Sequence, residues 1–159
     1  MNVLAIGAHP DDVEIACSGT LAKCVKRGDK VIVCHASTGN LGHVVIPPDE
    51  LTKIRAEEAK KAGGLAGIEV IGGMFDDLNI FDGNKAARDK LVDVIKYAQP
   101  DFIITHNPDD YMPDHTAVSR LVFDASFAAT LPNYKSRYEK AAALVPIYYM
   151  DTLAGVDFQ

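Results

Sequence analysis

Positive charge is in short supply in this chain. Its 159 residues carry 16 Lys and Arg against 22 Asp and Glu, a net charge of −6. A nucleic-acid binder needs a basic face to neutralise phosphates, so that class is set aside. Long apolar runs are missing too: no stretch approaches the ~20 residues of a membrane span. The start, Met1-Asn2-Val3-Leu4, has neither a basic region nor an extended apolar one, so no signal peptide is expected. Cysteine is scarce. Cys17, Cys24 and Cys34 form no CxxC, and any disulfide would leave one unpaired, so they read as buried reduced thiols in a cytoplasmic protein. Repeats, low-complexity tracts and linkers are absent, and the length suits one domain, residues 1–159.

What is present is an alternation of strand and helix patterns. Val3–Ala8 reads as a buried strand, Thr20–Arg27 as a helix stopped by Gly28, and Val31–Ala36 as a second buried strand. A polar loop from Ser37 through Asp49 leads to a helix over Leu51–Leu65. Its stripe is Leu51, Ile54, Ala59, Ala62 and Leu65, and Gly63-Gly64 weaken its end. Strands follow at Glu69–Ile71, Phe102–Thr105 and Ile147–Met150, and helices at Ala86–Ala98 and His115–Ala129. The pattern predicts a Rossmann-like α/β three-layer sandwich with a mostly parallel sheet. In the common strand order 3-2-1-4-5, the loops behind strands 1 and 4 face one crevice, where open α/β sheets place their ligands.

Those two loops hold the chemistry. The first carries His9-Pro10-Asp11-Asp12 and the second Asp109-Asp110-Tyr111-Met112-Pro113-Asp114-His115. A histidine and two carboxylates within four residues are costly to desolvate unless a cation joins them. His9, Asp12 and His115 make three protein ligands with room left for water and substrate, the form of a catalytic metal site. Asp11, between the ligands, is free to accept a proton from water activated by the ion. Asp114, Asp110 and His106 are read as supporting groups that orient the ligands by hydrogen bonds. The first strand runs into Gly-Ala-His-Pro-Asp-Asp and not GxGxxG, which puts carboxylates where a dinucleotide's pyrophosphate needs backbone donors.

Gly7-Ala8-His9-Pro10-Asp11-Asp12-Val13-Glu14, with Pro113-Asp114-His115 about a hundred residues on, resembles the PIG-L/LmbE-type metal-dependent deacetylases. Gly19-Thr20, Ser37-Thr38-Gly39, Arg55 with Glu58, and Tyr111 agree as well, and the likeness runs from Asn2 to about Phe158. The resemblance implies a zinc-dependent hydrolase (ferrous iron suits the same ligands) that removes N-acetyl groups from N-acetylglucosamine-containing small molecules. It implies His9, Asp12 and His115 as metal ligands, Asp11 as general base, Arg55 as a sugar contact, and a homo-oligomer. Two departures stand out. Met112 occupies a position where relatives often have a histidine that polarises the carbonyl or assists the leaving amine. Relatives also continue for several tens of residues, so a truncated chain is expected.

Other readings compete for single residues. The His9–Asp12 segment could be a surface turn with an Asp helix cap, Asp114 a cap, and Arg55 part of a solvated helix face paired with Glu58. His35 reads as structural or supporting, His43 as exposed and Cys17 as packed. Phe123, Phe127, Tyr134 and Tyr138 read as core or interface. The competing function is a non-catalytic metal- or partner-binding domain of the same fold.

Overall fold

A computed structural model of the protein describes residues 1–153 and Gly155. The elements follow in the order β1 (Asn2–Gly7), α1 (Asp12–Arg27), β2 (Lys30–Ser37), α2 (Pro48–Ala66), β3 (Glu69–Phe75), α3 (Lys85–Ala98), β4 (Phe102–His106), α4 (Pro113–Ala128) and β5 (Ile147–Met150). The strands form one sheet in the order β3-β2-β1-β4-β5, as the alternation predicts. Every neighbouring pair is parallel, so among the described residues the sheet is wholly parallel. No helix of the described residues is long and apolar enough to cross a membrane.

The apolar runs of β1, β2 and β4 follow from burial on both faces. Leu4, Ile6 and Ile103 point to one face and meet Leu91 and Ile95 of α3 and Val118, Leu121 and Val122 of α4. Val3 and Ala5 point to the other and meet Val13, Cys17 and Leu21 of α1. Each fully buried aliphatic side chain of this size contributes about 1.5–3 kcal/mol relative to exposure. The paired cores fix the register: Ile6 lies beside Cys34 on one side and Thr105 on the other. The carboxyl ends of β1 and β4 therefore stand level, and their loops leave the sheet together.

Several boundaries differ from the expectation. Helix α1 begins at Asp12 and not Thr20, because its first turns cover the functional crevice as well as the core: Val13 is buried while Ile15 is 59% exposed. Leu65, assigned to the apolar stripe of α2, is 92% exposed. That helix also runs through Gly63-Gly64 to Ala66; a side chain at Gly63 would lie 2.4 Å from Val70 Cγ2, so the glycine permits close packing on β3. The cap of α4 is Met112, and Asp114 sits inside the first turn. Phe123 and Phe127 are exposed on α4 and belong to neither core cluster. Val156–Phe158, the last residues of the resemblance, lie outside the described residues.

Candidate metal centre

The loop after β1 is a tight, strained turn. Backbone N–H groups of Asp11 and Asp12 both donate to His9 O, at 3.0 and 3.3 Å. Asp11 adopts φ 156° and ψ −22°, where a side chain is strained by about 1–3 kcal/mol. The turn holds because Ile15 N–H donates to Asp11 O at 2.9 Å, starting α1, and His9 N–H donates to Asp12 Oδ2 at 2.7 Å. One consequence is a division of side chains. His9 and Asp12 turn inward, and the Asp11 carboxylate stays half exposed.

The loop after β4 brings three buried groups against them. Pro113 opens α4, and Asp114 and His115 project from its first turn. Asp114 Oδ2 accepts from Leu78 N–H at 2.8 Å and lies 3.0 Å from His9 Nε2. Asp110 Oδ2 lies 3.1 Å from His115 Nδ1. Each imidazole thus has a buried carboxylate at one nitrogen and turns the other toward Asp12. His9 Nδ1 is 3.4 Å from Asp12 Oδ2, and His115 Nε2 is 3.3 Å from Asp12 Oδ1. His106, the last residue of β4, stacks on His115 with centroids 3.9 Å apart and rings 13° from parallel. Its Nε2 accepts from Ala8 N–H at 2.9 Å and lies 3.1 Å from Asp12 Oδ2.

Charge follows from this packing. Burial disfavours the charged form of His9, but Asp12 and Asp114 outweigh it and raise its pKa to about 9. At His115 burial is likewise outweighed, by Asp12 and Asp110, and the pKa rises. Burial prevails at His106, whose pKa falls and which stays neutral. Burial opposes ionisation of Asp12, yet its three histidine neighbours hold its carboxyl far below the usual carboxylate range. The pocket draws positive charge.

A divalent cation fits the residues present. His9, Asp12 and His115 each offer a ligand atom, and these atoms lie within 4.8 Å of one another. His9 Nδ1 and His115 Nε2 approach different oxygens of the Asp12 carboxylate, Oδ2 at 3.4 Å and Oδ1 at 3.3 Å, so the two imidazoles bracket it. Both ring nitrogens of His115 are buried without a hydrogen bond of good geometry, despite the nearby carboxylates. Orphaned buried donors and acceptors of this kind need a partner. His106, Asp110 and His115 form a second group of suitable spacing. Its His106 Nε2 lone pair is taken by Ala8 N–H, which leaves the proton on Nδ1 facing Asp110.

A cavity of about 650 Å³ opens beside this cluster, with Asp11, Arg55, Asp77, Leu78, Tyr111 and Met112 among its walls. A smaller one, about 240 Å³, lies on the His106 and Asp110 side of His115. Arg55 reaches across from α2 to Asp11 Oδ2 at 2.7 Å. Glu14 turns away and pairs with His35 Nε2 at 3.2 Å, and this pairing outweighs its burial and lowers its pKa. His43 is exposed and accepts from the Val45 and Ile46 N–H groups. Burial raises the Cys17 thiol to about 11, so it is a packed, protonated residue. Two contributors escaped the sequence reading. Asp77 is buried and accepts from Gly39 and Leu41 N–H groups, both at 2.9 Å, which shapes the cavity wall. Leu78 acts through its main chain alone and leaves no side-chain signal.

The sequence and the fold match known proteins. The family of GlcNAc-PI de-N-acetylases, PIG-L, matches residues 4–126. A 4-oxalmesaconate hydratase from Pseudomonas putida is 26% identical over 154 residues, covering 92% of this chain and 59% of its own length. A 1D-myo-inositol 2-acetamido-2-deoxy-alpha-D-glucopyranoside deacetylase from Corynebacterium diphtheriae is 31% identical over 140 residues, covering 70% of this chain and 47% of its own. The chain therefore spans about half to three fifths of these relatives. Among solved structures, a conserved protein from Thermus thermophilus superposes with a TM-score of 0.84 at 25% identity, over 96% of this chain and 67% of that one. The two loops, their shared crevice and a family match over most of the sequence agree: the chain belongs to the PIG-L deacetylase family.

Proposed function

We propose that the protein is a metal-dependent hydrolase that removes an N-acetyl group from an N-acetylglucosamine-containing small molecule. In this reading His9, Asp12 and His115 hold zinc or ferrous iron, and Asp11 is the general base. One observation carries it: two imidazoles, each backed by its own buried carboxylate, turn their remaining nitrogens to one aspartate. Such backing fixes tautomer and ring orientation, as in metal-ligating histidines generally. Bound there, a divalent cation supplies Lewis acidity, polarising a carbonyl and lowering the pKa of water toward ~7.

The chain's own groups do the rest. Asp11, on the cavity side of the turn, takes a proton from water as the water oxygen bonds to the carbonyl carbon. That proton passes to the amide nitrogen as the C–N bond breaks, leaving acetate and the free amine. Asp114 and Asp110 hold the two imidazoles still through the step. Met112, half buried in the same cavity, has no proton to give, so the return of the proton falls to Asp11.

A second reading has its own support. A hydratase is among the relatives that cover most of the chain, and Met112 removes a group that deacetylation would use. Hydration of a carbon–carbon double bond needs activated water and a base but no leaving amine. The test is a screen of N-acetylglucosamine conjugates for acetate and primary-amine release, with zinc and ferrous iron added separately. Unsaturated carboxylic acids run in parallel, followed by loss of ultraviolet absorbance. Metal-dependent acetate release is the expected result; loss of absorbance with no acetate would replace deacetylation by hydration.

A further inference from the structure

We propose that a cavity behind the strained turn is a second binding site, for a small neutral ligand rich in hydroxyls, of monosaccharide or cyclic-polyol size. The cavity holds about 480 Å³ between Pro10 of the turn, the ends of β2 and β3, and one side of α2. It shares no lining residue with the 650 Å³ cavity at the metal cluster. Helix α2 divides the two: Ile54, Arg55 and Glu58 line the larger, and Thr52, Ala56 and Lys60 line the other.

Unpaired hydroxyls in its wall point to a ligand. Along β2, Ile32, Cys34 and Ala36 join one core, and Val31 and Val33 join the other. Ser37 continues the second set, on the side of the sheet where the cavity lies. Its side chain is fully buried and Oγ has no hydrogen-bond partner; the buried Thr38 Oγ1 beside it has none either. Buried polar groups of this kind normally have partners, and the space far exceeds the roughly 30 Å³ of one water. The β3 wall is main chain alone at Gly72, where a Cβ would lie 2.0 Å from His35 O.

The charges present favour a neutral ligand. His35, the imidazole of the wall, is committed at Nε2 to Glu14. Glu57 and Lys60 are exposed, carry opposite signs and cancel. What remains inside is hydroxyls, which both donate and accept, beside the apolar surface of Pro10, Val70 and Ile71. Ligand hydroxyls match the first, and the C–H face of a ring matches the second. An occupant would also bear on Pro10, which lies between His9 and Asp11 in the turn.

The experiment titrates the protein with glucose, N-acetylglucosamine and myo-inositol and follows amide hydrogen exchange. At least one probe should slow exchange at Ser37, Thr38, Gly72 and Gly73. The double variant Ser37→Ala/Thr38→Val should weaken that binding on the order of tenfold while holding or raising the melting temperature, because hydroxyls without partners contribute nothing to the empty fold. Ala56→Phe, which fills the cavity from α2, should abolish the protection without removing a hydroxyl. Protection confined to Leu41 and Leu78, at the metal-side cavity, would overturn the proposal, as would no protection by any probe. A lower melting temperature in the double variant with binding intact would make the hydroxyls structural and overturn it too. These readouts need no turnover, so absence of acetate release from the unmodified protein would strike the proposed function and leave this site standing.

Discussion

The loop after β1 and the loop after β4 leave adjacent strands at the same level, yet they supply different things. The first is a strained turn that splits its side chains: His9 and Asp12 go inward, and Asp11 goes toward the cavity. The second is anchored by the start of α4 and contributes one imidazole together with two buried carboxylates, Asp110 and Asp114. In the proposed function the first loop gives the base and two ligands, and the second gives one ligand with the two carboxylates that orient the imidazoles. On that reading strain belongs with the first because the base must be held apart from the ligands beside it in sequence. Burial belongs with the second because a carboxylate orients an imidazole best where water does not compete.

The comparison predicts that each loop fails differently when broken. The largest effect should come from His115→Ala, which removes the second loop's ligand and strands Asp110. Metal content by elemental analysis should fall sharply, and acetate release with it. Chelation of the unmodified protein should do the same while leaving far-ultraviolet circular dichroism intact, because the cores beneath α1, α3 and α4 are separate from the cluster. Retained metal in the variant would sink the ligand assignment.

Asp11→Asn should break the first loop's chemistry without its geometry. The amide cannot take a proton, so kcat should drop about a hundredfold to ten-thousandfold with metal retained. A kcat like that of the unmodified protein would put the base elsewhere. Glu14, the neighbouring alternative, is engaged by His35.

Asp114→Asn and Asp110→Asn test the orienting role. Each should weaken metal affinity about tenfold to a hundredfold, measured by competition with a chelator. If either lowers kcat with affinity unchanged, the division between the loops is wrong.

Sequence patterns reached the strand order and the three converging residues because both rest on strong, local signals: apolar runs bounded by turns, and two compact polar motifs. They did not reach which carboxylate serves which histidine. Asp114 adjoins His115 in sequence, yet it faces His9, while Asp110, five residues earlier, faces His115. Consecutive residues on a helix turn point about a hundred degrees apart, so adjacency misleads there. The start of α1 was hidden for a related reason. Asp12 and Ile15 face the crevice and Glu14 pairs with His35, so the apolar stripe of its first turn is incomplete, and Asp11 makes no side-chain cap to mark it. Leu65 shows the opposite error: it keeps helical spacing but is 92% exposed, while Leu51, Ala59 and Gly63 are the buried residues of α2.

The smallest effect should come from Met112→His, which asks whether the second loop lacks a group or has dispensed with one. Met112 caps α4 and lines the cavity with His9, Asp11 and His115, so an imidazole there would enter the same space. Removing an evolved donor of this kind costs on the order of 3 kcal/mol. A new one, without a partner to fix its tautomer and aim, should recover only part of that, about tenfold in kcat. Metal content should not change, because the three ligands are untouched. A gain in acetate release would mean that proton return to the amine limits the unmodified enzyme and that Asp11 performs it poorly. Loss of activity toward unsaturated acids in the same variant would point the other way, to a site in which the thioether is fitted to a substrate with no amine to expel.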